Sequence, residues 1–550
     1  MLINLARRIS KIFIKNFSYI LLFFLILLIY FPSFQLKFSL LDDGLTIKNA
    51  RIIETSIKEF DFLRIEEVVF EPEHGRVRPV YWISQSLISW LSFYNSTSSH
   101  ILRFILLLAT ILAIDKILKK IGVTRIWIIA ALFIFVFNFQ NAENYFRLGP
   151  VEPFLALYYS LTLYCIFLTQ AKKVKFIQLL SIFLLGFLGV FTKESYFLVG
   201  LALIPTLFLL RVFSKGKIAL FRKTLFSIIS ISILGFVVFA IKNSYPSIVG
   251  YASQYTFSIN QIINSFAVFK NNLFFYHPGI LLLTLIYLLV FLYNIFKRGF
   301  KDISYQEIFY LTIWFQIVFQ FLVLLPWPYA LNRYLLLVNV NLTIIYGITF
   351  FKVAELGLLT IRRKWPNLKF SETSYSAIIF LVLLFPFTAR NILPLANYQL
   401  WLKTDSEISY SSIKALANEI PEGETVLVNY KKGDTNIEIF LETGWHLEEL
   451  YDRRDIKFVY LDDSNLCTRD ERYIFDRKSD RLIDPKEFAE GLNYDIVAEG
   501  ASLYEPLNYS AVIKSFYYKT KAENWSDKYL FDWQIYLQKP GTCIDNDNSL

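Results

Sequence analysis

Hydrophobic and polar positions follow one another along this chain in long blocks. Apolar runs of about 17–22 residues recur near 17–36, 100–118, 126–142, 151–169, 176–192, 196–213, 224–241, 279–296, 307–325, 332–351 and 374–392. As helices, runs of that length cross a hydrocarbon layer of roughly 30 Å. The pattern predicts about eleven transmembrane helices. Two stretches break it. Between the first two spans lies a polar island, Ser39–Pro79, in which Ile52–Phe62 mixes apolar and charged residues as a surface-lying amphipathic helix does. The apolar run 80–93 that follows is short for a crossing and reads as an interfacial helix, with Pro79 in its first turn, where a missing N–H costs nothing. From about 393 the apolar runs shorten and turn signals appear at Pro421-Glu422-Gly423 and Lys432-Gly433-Asp434. There, 408–419 and 437–450 read as helices, 425–430 and 457–461 as strands. The expected organisation is a membrane domain over 1–392, with a first outer loop over 37–99, and an α/β domain over 393–550.

Composition agrees with this reading. The chain has 550 residues, 55% of them hydrophobic and 18% aromatic, with a mean hydropathy of +0.43, which excludes an ordinary soluble domain. A net charge of +10 raises the question of nucleic acid, but Lys and Arg gather in short loops between apolar runs, where they set topology. Arg7 to Lys15, Lys116 to Arg125, Lys172 to Lys175, Arg211 to Lys223, Lys297 to Lys301 and Lys352 to Lys369 all fall on one side. By the positive-inside rule that side, with the N-terminus, is cytoplasmic. The island and the C-terminal domain are then extracytoplasmic. The first run has no small-residue cleavage site after it and reads as an uncleaved span. Cys165 lies in a span; Cys467 and Cys543 lie in the outer domain, and nothing in the sequence brings them together. The four histidines are too dispersed for a zinc site.

Charged residues that could do chemistry concentrate on the outer side. The island opens with Asp42-Asp43 and closes with His74-Gly75-Arg76-Val77-Arg78-Pro79. Either aspartate could serve as general base for an acceptor hydroxyl, while Arg76 and Arg78 could hold a phosphate through the two-pronged contacts that lysine lacks. The bland reading of the same residues is an Asp-Asp turn and an arginine pair anchoring a helix among headgroups. Next come Glu143, Arg147 and Glu152 in one tight turn, the last heading an apolar helix, where an acid is expensive unless solvated, partnered or used. Lys193-Glu194 interrupts a pair of spans. Arg333 starts a late span beside Trp327, Tyr329 and Tyr334, opposing both the inside bias and the helix dipole, so an anion should compensate it: a lipid phosphate, Asp42 or Glu152. The C-terminal domain shows no phosphate loop or nucleophile elbow and is expected to serve a structural or acceptor-binding role.

Taken in order, the first span, the Asp42-Asp43 pair, Asn49, Arg78-Pro79 leading into a short helix, Ile101-Leu102-Arg103, the acid after an outer turn, Lys193-Glu194 and the late Arg333-Tyr334 resemble the GT-C glycosyltransferases. The protein O-mannosyltransferases and the lipid A aminoarabinose transferases share this plan. The resemblance covers about residues 17–350. It departs from the tetratricopeptide-bearing branch in having no 34-residue repeat, and it places Glu152, with Glu143 in competition, where many relatives have Asp. It implies a polytopic α-helical fold of GT-C type with an appended α/β domain. It also implies an inverting glycosyltransferase that moves a sugar from a polyprenyl-phosphate donor to a hydroxyl of a protein, lipid or glycan. Asp42, Asp43 and Glu152 would be the catalytic carboxylates, and His74, Arg76, Arg78, Arg147, Lys193, Glu194 and Arg333 would bind substrate and phosphate. No cofactor is demanded; a divalent metal serves some branches of the family, and metal independence is the expectation. The competing readings are a transporter or flippase of polyprenyl-linked glycans, which would place charges near the bilayer midplane, and an inactive scaffold of the same fold.

Overall fold

A computed structural model describes residues 17–39, 43–70, 77–167, 174–213, 218–244, 258–299, 303–326, 331–364, 372–428, 437–460, 473–477, 494–504 and 529–538. They divide into two compact units. The first holds Met1–Phe31, Phe62–Ser84 and Leu102–Leu395; the second holds Pro32–Asp61, Gln85–Ile101 and Ala396–Leu550. Much of the polar island is thus built with the C-terminal unit.

The first unit is helical. Its described elements include α1 (Phe17–Gln35), α3 (Phe62–Phe70), α4 (Pro79–Leu91), α5 (Ser96–Ile121), α6 (Arg125–Phe137), α7 (Ala142–Phe146), α8 (Glu152–Phe167) and α9 (Phe176–Val190). After these come α10 (Phe197–Leu201), α11 (Ile204–Phe213), α12 (Ile218–Ser244), α13 (Ile259–Tyr276), α14 (Ile280–Arg298), α15 (Tyr305–Leu324), α16 (Leu336–Lys364) and α17 (Glu372–Glu419). Between α1 and α3 lies α2 (Asp43–Glu59), which belongs to the second unit. Pro79 opens α4, as its locked φ favours.

Among the described residues six helices are long and apolar enough to cross a membrane, seven if α6 and the segment Phe139–Phe146, bent from it by 58°, make one broken span. Several of the eleven expected runs fall on helices of another kind. The helix α5 is laden with Arg103, Asp115, Lys116, Lys119 and Lys120. The helices α8 and α9 are described over only 16 and 15 residues. The last run lies in α17, a single 48-residue helix that passes through Pro386 and Pro394 and takes in the separately expected helix 408–419.

The helix α16 is the hub, with 83% of its apolar window buried against 22% for α1, and it packs on α6, α8, α14 and α15. Close crossing needs a small residue: a Cβ on Gly347 would lie 3.0 Å from Leu118 and 3.3 Å from Ala131. The buried amide nitrogens of Asn339 and Asn341 find acceptors, as burial favours. Asn339 Nδ2 donates to Asn141 Oδ1 at 2.9 Å, Asn341 Nδ2 donates to Gln320 Oε1 at 3.0 Å, and Asn341 Oδ1 accepts from the Tyr159 hydroxyl at 2.5 Å. The last turns of α5, α14 and α16 carry Lys119 and Lys120, Lys297 and Arg298, and Arg362 to Lys364, placing cations where the helix dipole favours them.

The second unit is α/β. Its strands β1 (Thr425–Val428), β2 (Lys457–Tyr460), β3 (Tyr473–Arg477), β4 (Tyr494–Tyr504) and β5 (Tyr529–Gln538) form one mixed sheet in the order β2-β1-β3-β5-β4. The pairs β1/β2 and β1/β3 are parallel; β3/β5 and β4/β5 are antiparallel. The end of α17 and α18 (Ile437–Tyr451) supply Ile413, Leu416 and Leu447 to a core with Val426, Phe475, Trp533 and Ile535. Arg453 closes the α17 C-terminus, donating to Ala417 O and, at 2.8 Å, to Ile420 O while pairing with Asp455 at 2.9 Å.

Candidate functional site

In the first unit the helix ends opposite the basic turns are joined by polar segments, and most of the charges singled out above meet there. The α6 helix stops at Asn138, whose side chain accepts from Gln140 N at 3.0 Å and turns the chain into a short 3-10 segment and α7. On α7, Glu143 receives Arg147 at 2.7 Å and Arg333 at 3.6 Å. Of the anions expected to compensate Arg333, Asp42 lies outside the described residues, and the carboxylate that pairs with Arg333 is Glu143, the acid noted as competing with Glu152. The backbone is fixed as well, since Asn144 Nδ2 donates to Arg333 O at 3.1 Å.

Glu152, 6% exposed at the head of α8, is paired with Lys193 at 2.7 Å. Lys193 thereby reaches past its sequence neighbour Glu194. Instead Glu194 faces Arg78, Nε to Oε2 3.8 Å. Arg78 reaches that position because the entry to α4 is bonded to its surroundings: Arg78 N donates to Val69 O at 2.9 Å and Val80 N to Phe191 O at 3.1 Å, and the Tyr81 hydroxyl donates to Gly149 O at 2.6 Å. Both Lys193 and Arg333 lie over the Tyr334 ring, 4.8 and 5.3 Å from its centroid. Four cations (Arg78, Arg147, Lys193, Arg333) thus interleave with three carboxylates (Glu143, Glu152, Glu194), four minus three leaving one positive charge in excess.

One residue of this region was quoted only as part of a motif. Arg103 of α5 is 1% exposed; its Nε donates to Arg147 O at 3.2 Å and its Nη2 to Leu148 O and, at 2.7 Å, to Pro150 O. One guanidinium thereby fixes the turn that presents Arg147 and Glu152. An arginine inside an apolar run is the signal that marks it.

Asp43 belongs to the second unit. It begins α2, and its Oδ2 accepts from Ser39 N at 2.8 Å and Ser39 Oγ at 3.2 Å. The next two amides of α2 are capped by Glu442 of α18, which accepts from Gly44 N and, at 3.2 Å, from Leu45 N. The approach is so close that a Cβ on Gly44 would lie 2.6 Å from both Glu442 Oε2 and His446 Nδ1. Farther along, Arg51 pairs with Glu449 at 3.2 Å. His446 is fully buried, and its Nδ1 donates to Glu442 O at 2.7 Å; burial pulls its pKa from 6.5 down to about 4. Asp42, His74 and Arg76, like Cys467 and Cys543, lie outside the described residues. Among the described residues no three His, Cys, Asp or Glu side chains converge as a metal site.

No protein-family model matches the chain, and no curated protein matches it in sequence. Its likeness is structural. The apo crystal structure of ArnT from Cupriavidus metallidurans superposes with a TM-score of 0.51 at 11% identity, over 88% of this chain and 96% of that one. The oligosaccharyltransferase AglB from Archaeoglobus fulgidus, in complex with an inhibitory peptide and a dolichol-phosphate, gives 0.47 at 10% identity over 80% of this chain; its apo form gives 0.45 over 77%. This chain spans 64% of the length of either oligosaccharyltransferase chain. With ArnT matched along nearly its whole length, the chain is a multi-pass membrane protein of GT-C fold.

Proposed function

We propose that this GT-C-fold chain is a membrane glycosyltransferase that moves a sugar from a polyprenyl-phosphate donor to an acceptor hydroxyl. The observation that carries the reading is the gathering of Arg78, Arg147, Lys193 and Arg333, with their three glutamates, at one end of the helical unit. A phosphate that leaves as a stable anion needs no general acid, only cations where its charge develops. Guanidinium groups at Arg78, Arg147 and Arg333 offer paired N–H contacts and Lys193 a point charge, all exchanging a glutamate for the phosphate as it binds. His74 and Arg76 adjoin Arg78 in sequence and extend the same basic segment.

In the reaction the acceptor oxygen attacks the anomeric carbon as the bond from that carbon to the phosphate oxygen breaks. The electron pair leaves with the polyprenyl phosphate, and the acceptor proton passes to a carboxylate. Asp42 or Asp43 takes that proton, with inversion at the anomeric carbon, and Glu152, held by Lys193, is the second acid of the site. The acceptor is a protein, lipid or glycan hydroxyl on the outer face. The chemistry assigned to these residues requires no metal.

The test is sugar release from a panel of radiolabelled polyprenyl-phosphate sugars by the full chain in lipid, comparing wild type with Asp42→Asn, Asp43→Asn and Arg78→Ala. Loss of turnover in one aspartate variant that still binds donor supports the reading and identifies the base. Background release by all four proteins rejects it and favours a transporter or an inactive scaffold.

A further inference from the structure

At the basic end of the first unit, far along the helices from the charge cluster, α1, α6 and α17 enclose a groove of about 610 Å³. Its walls are apolar, among them Leu21, Leu25, Ile129, Phe133 and Leu381, and Arg125 stands at its rim. Arg125 is half-buried, and its Nε and Nη2 are shut off from water without an acceptor among the described residues. Its guanidinium packs on the Tyr19 ring, 4.4 Å from the centroid. The nearby acid, Asp115, is engaged elsewhere: Lys119 Nζ binds it at 2.6 Å and the Tyr19 hydroxyl at 2.8 Å. Lys119 and Arg125 against Asp115 leave a charge of two minus one. The sixteen residues that precede α1 contain four cations and no acid, so no carboxylate from them can pair with Arg125. Arg125 also begins α6, where the helix dipole disfavours a cation and favours an anion.

A buried guanidinium N–H without an acceptor costs about 1–3 kcal/mol, and an apolar groove beside it gains from a hydrocarbon chain. A soluble anion answers only the first demand and a neutral lipid only the second. We infer that this groove is a binding site for a bilayer glycerophospholipid, its phosphodiester accepting from Arg125 and an acyl chain lying along Leu21, Leu25, Ile129 and Phe133. The volume falls within the span of roughly 300–1,000 Å³ usual for small-ligand pockets, and basic pockets between membrane helices are a recurrent form of headgroup recognition. The site does not depend on the glycosyltransferase reading.

The experiment uses the full chain in dodecyl maltoside, which has no phosphate, and measures thermal unfolding and lipid retention by native mass spectrometry. Dioleoylphosphatidylglycerol, dioleoylglycerol and inorganic phosphate are added separately. The phospholipid should raise Tm by about 3 °C or more and be retained, and the other two should do neither. Arg125→Gln should reduce the phospholipid effect to that of dioleoylglycerol. Ile129→Trp, which fills the groove and leaves the guanidinium, should abolish retention. Equal effects of phospholipid and dioleoylglycerol on the wild type, or wild-type retention by both variants, would overturn the proposal. A Tm shift reproduced by inorganic phosphate alone would replace it with a soluble-anion site.

Discussion

Lys193 Nζ lies 2.7 Å from Glu152 Oε1, and the partners, 19% and 6% exposed, come from turns 41 residues apart. Removing one partner of a pair this buried leaves the other charge stranded at a cost of about 3–5 kcal/mol. Lys193→Met should therefore lower Tm by several degrees as well as abolish transfer. The double variant Lys193→Met/Glu152→Leu should regain most of the stability and none of the turnover. Thermal unfolding and donor turnover on the same preparations separate the two effects; a double variant with restored turnover would remove both residues from the chemistry.

Arg103 makes a second, independent prediction. Its fork onto Arg147 O, Leu148 O and Pro150 O cannot be reproduced by an ammonium group. Arg103→Lys should cost about 2–3 kcal/mol, the scale of lost charged hydrogen bonds. It should lower turnover without changing which donor is used. Unchanged unfolding of Arg103→Lys in detergent would contradict the clamp.

The second unit should be acid-sensitive. His446 has a folded pKa near 4 against 6.5 when free, so below pH 6.5 the unfolded chain binds the proton and the folded one resists it. Stability is full above pH 6.5, declines as pH falls towards 4 and levels off below, a loss of roughly 3 kcal/mol from the two and a half units between those values. The near-isosteric His446→Gln should flatten that stretch of the Tm profile. A wild-type profile flat between pH 6.5 and 4 would show that the imidazole charges freely in the fold.

Gly44→Ala should be disproportionately harmful for an added methyl group. Its Cβ would sit 2.6 Å from Glu442 and His446, so those buried side chains or α2 itself must give way. Overpacking of this kind costs about 1–3 kcal/mol. Ala50→Gly, also buried on α2, should cost about 1 kcal/mol through helix propensity. Urea unfolding of both variants compares them directly; a Gly44→Ala variant more stable than Ala50→Gly would disprove the tight approach.

The helical character of the first unit is legible because length and hydrophobicity are local properties, but the count of eleven spans is not, six or seven of the described helices being long and apolar enough to cross. The start of α4 at Pro79 and the bounds of β1, α18 and β2 within one or two residues follow from equally local signals. Partner choice is not local. Lys193 lies beside Glu194 in sequence yet pairs with Glu152, and Arg333 selects Glu143 from a turn 190 residues earlier, because the packing of α6, α8 and α16 decides which turns meet. The strands β3, β4 and β5 were not anticipated; they join a sheet whose order, β2-β1-β3-β5-β4, is set by pairing across long separations. Asp43-Gly44 carries the signature of a loop turn, yet it opens a helix, and its glycine is there for what presses against it.

The bonding around Gly44 has a chemical side as well. In an unfolded chain an aspartyl-glycine bond ages readily, the glycine nitrogen attacking the preceding carboxyl to give a succinimide and then isoaspartate. Here that nitrogen donates to Glu442, and the Asp43 carboxylate is turned back onto Ser39. Nucleophile and electrophile are held apart by the fold, so isoaspartate at position 43 should accumulate in a synthetic peptide of this segment and not in the folded protein, a difference that peptide mapping by mass spectrometry reads directly. Intact chemistry at that one bond is thus a durable record of whether α2 has stayed docked on α18.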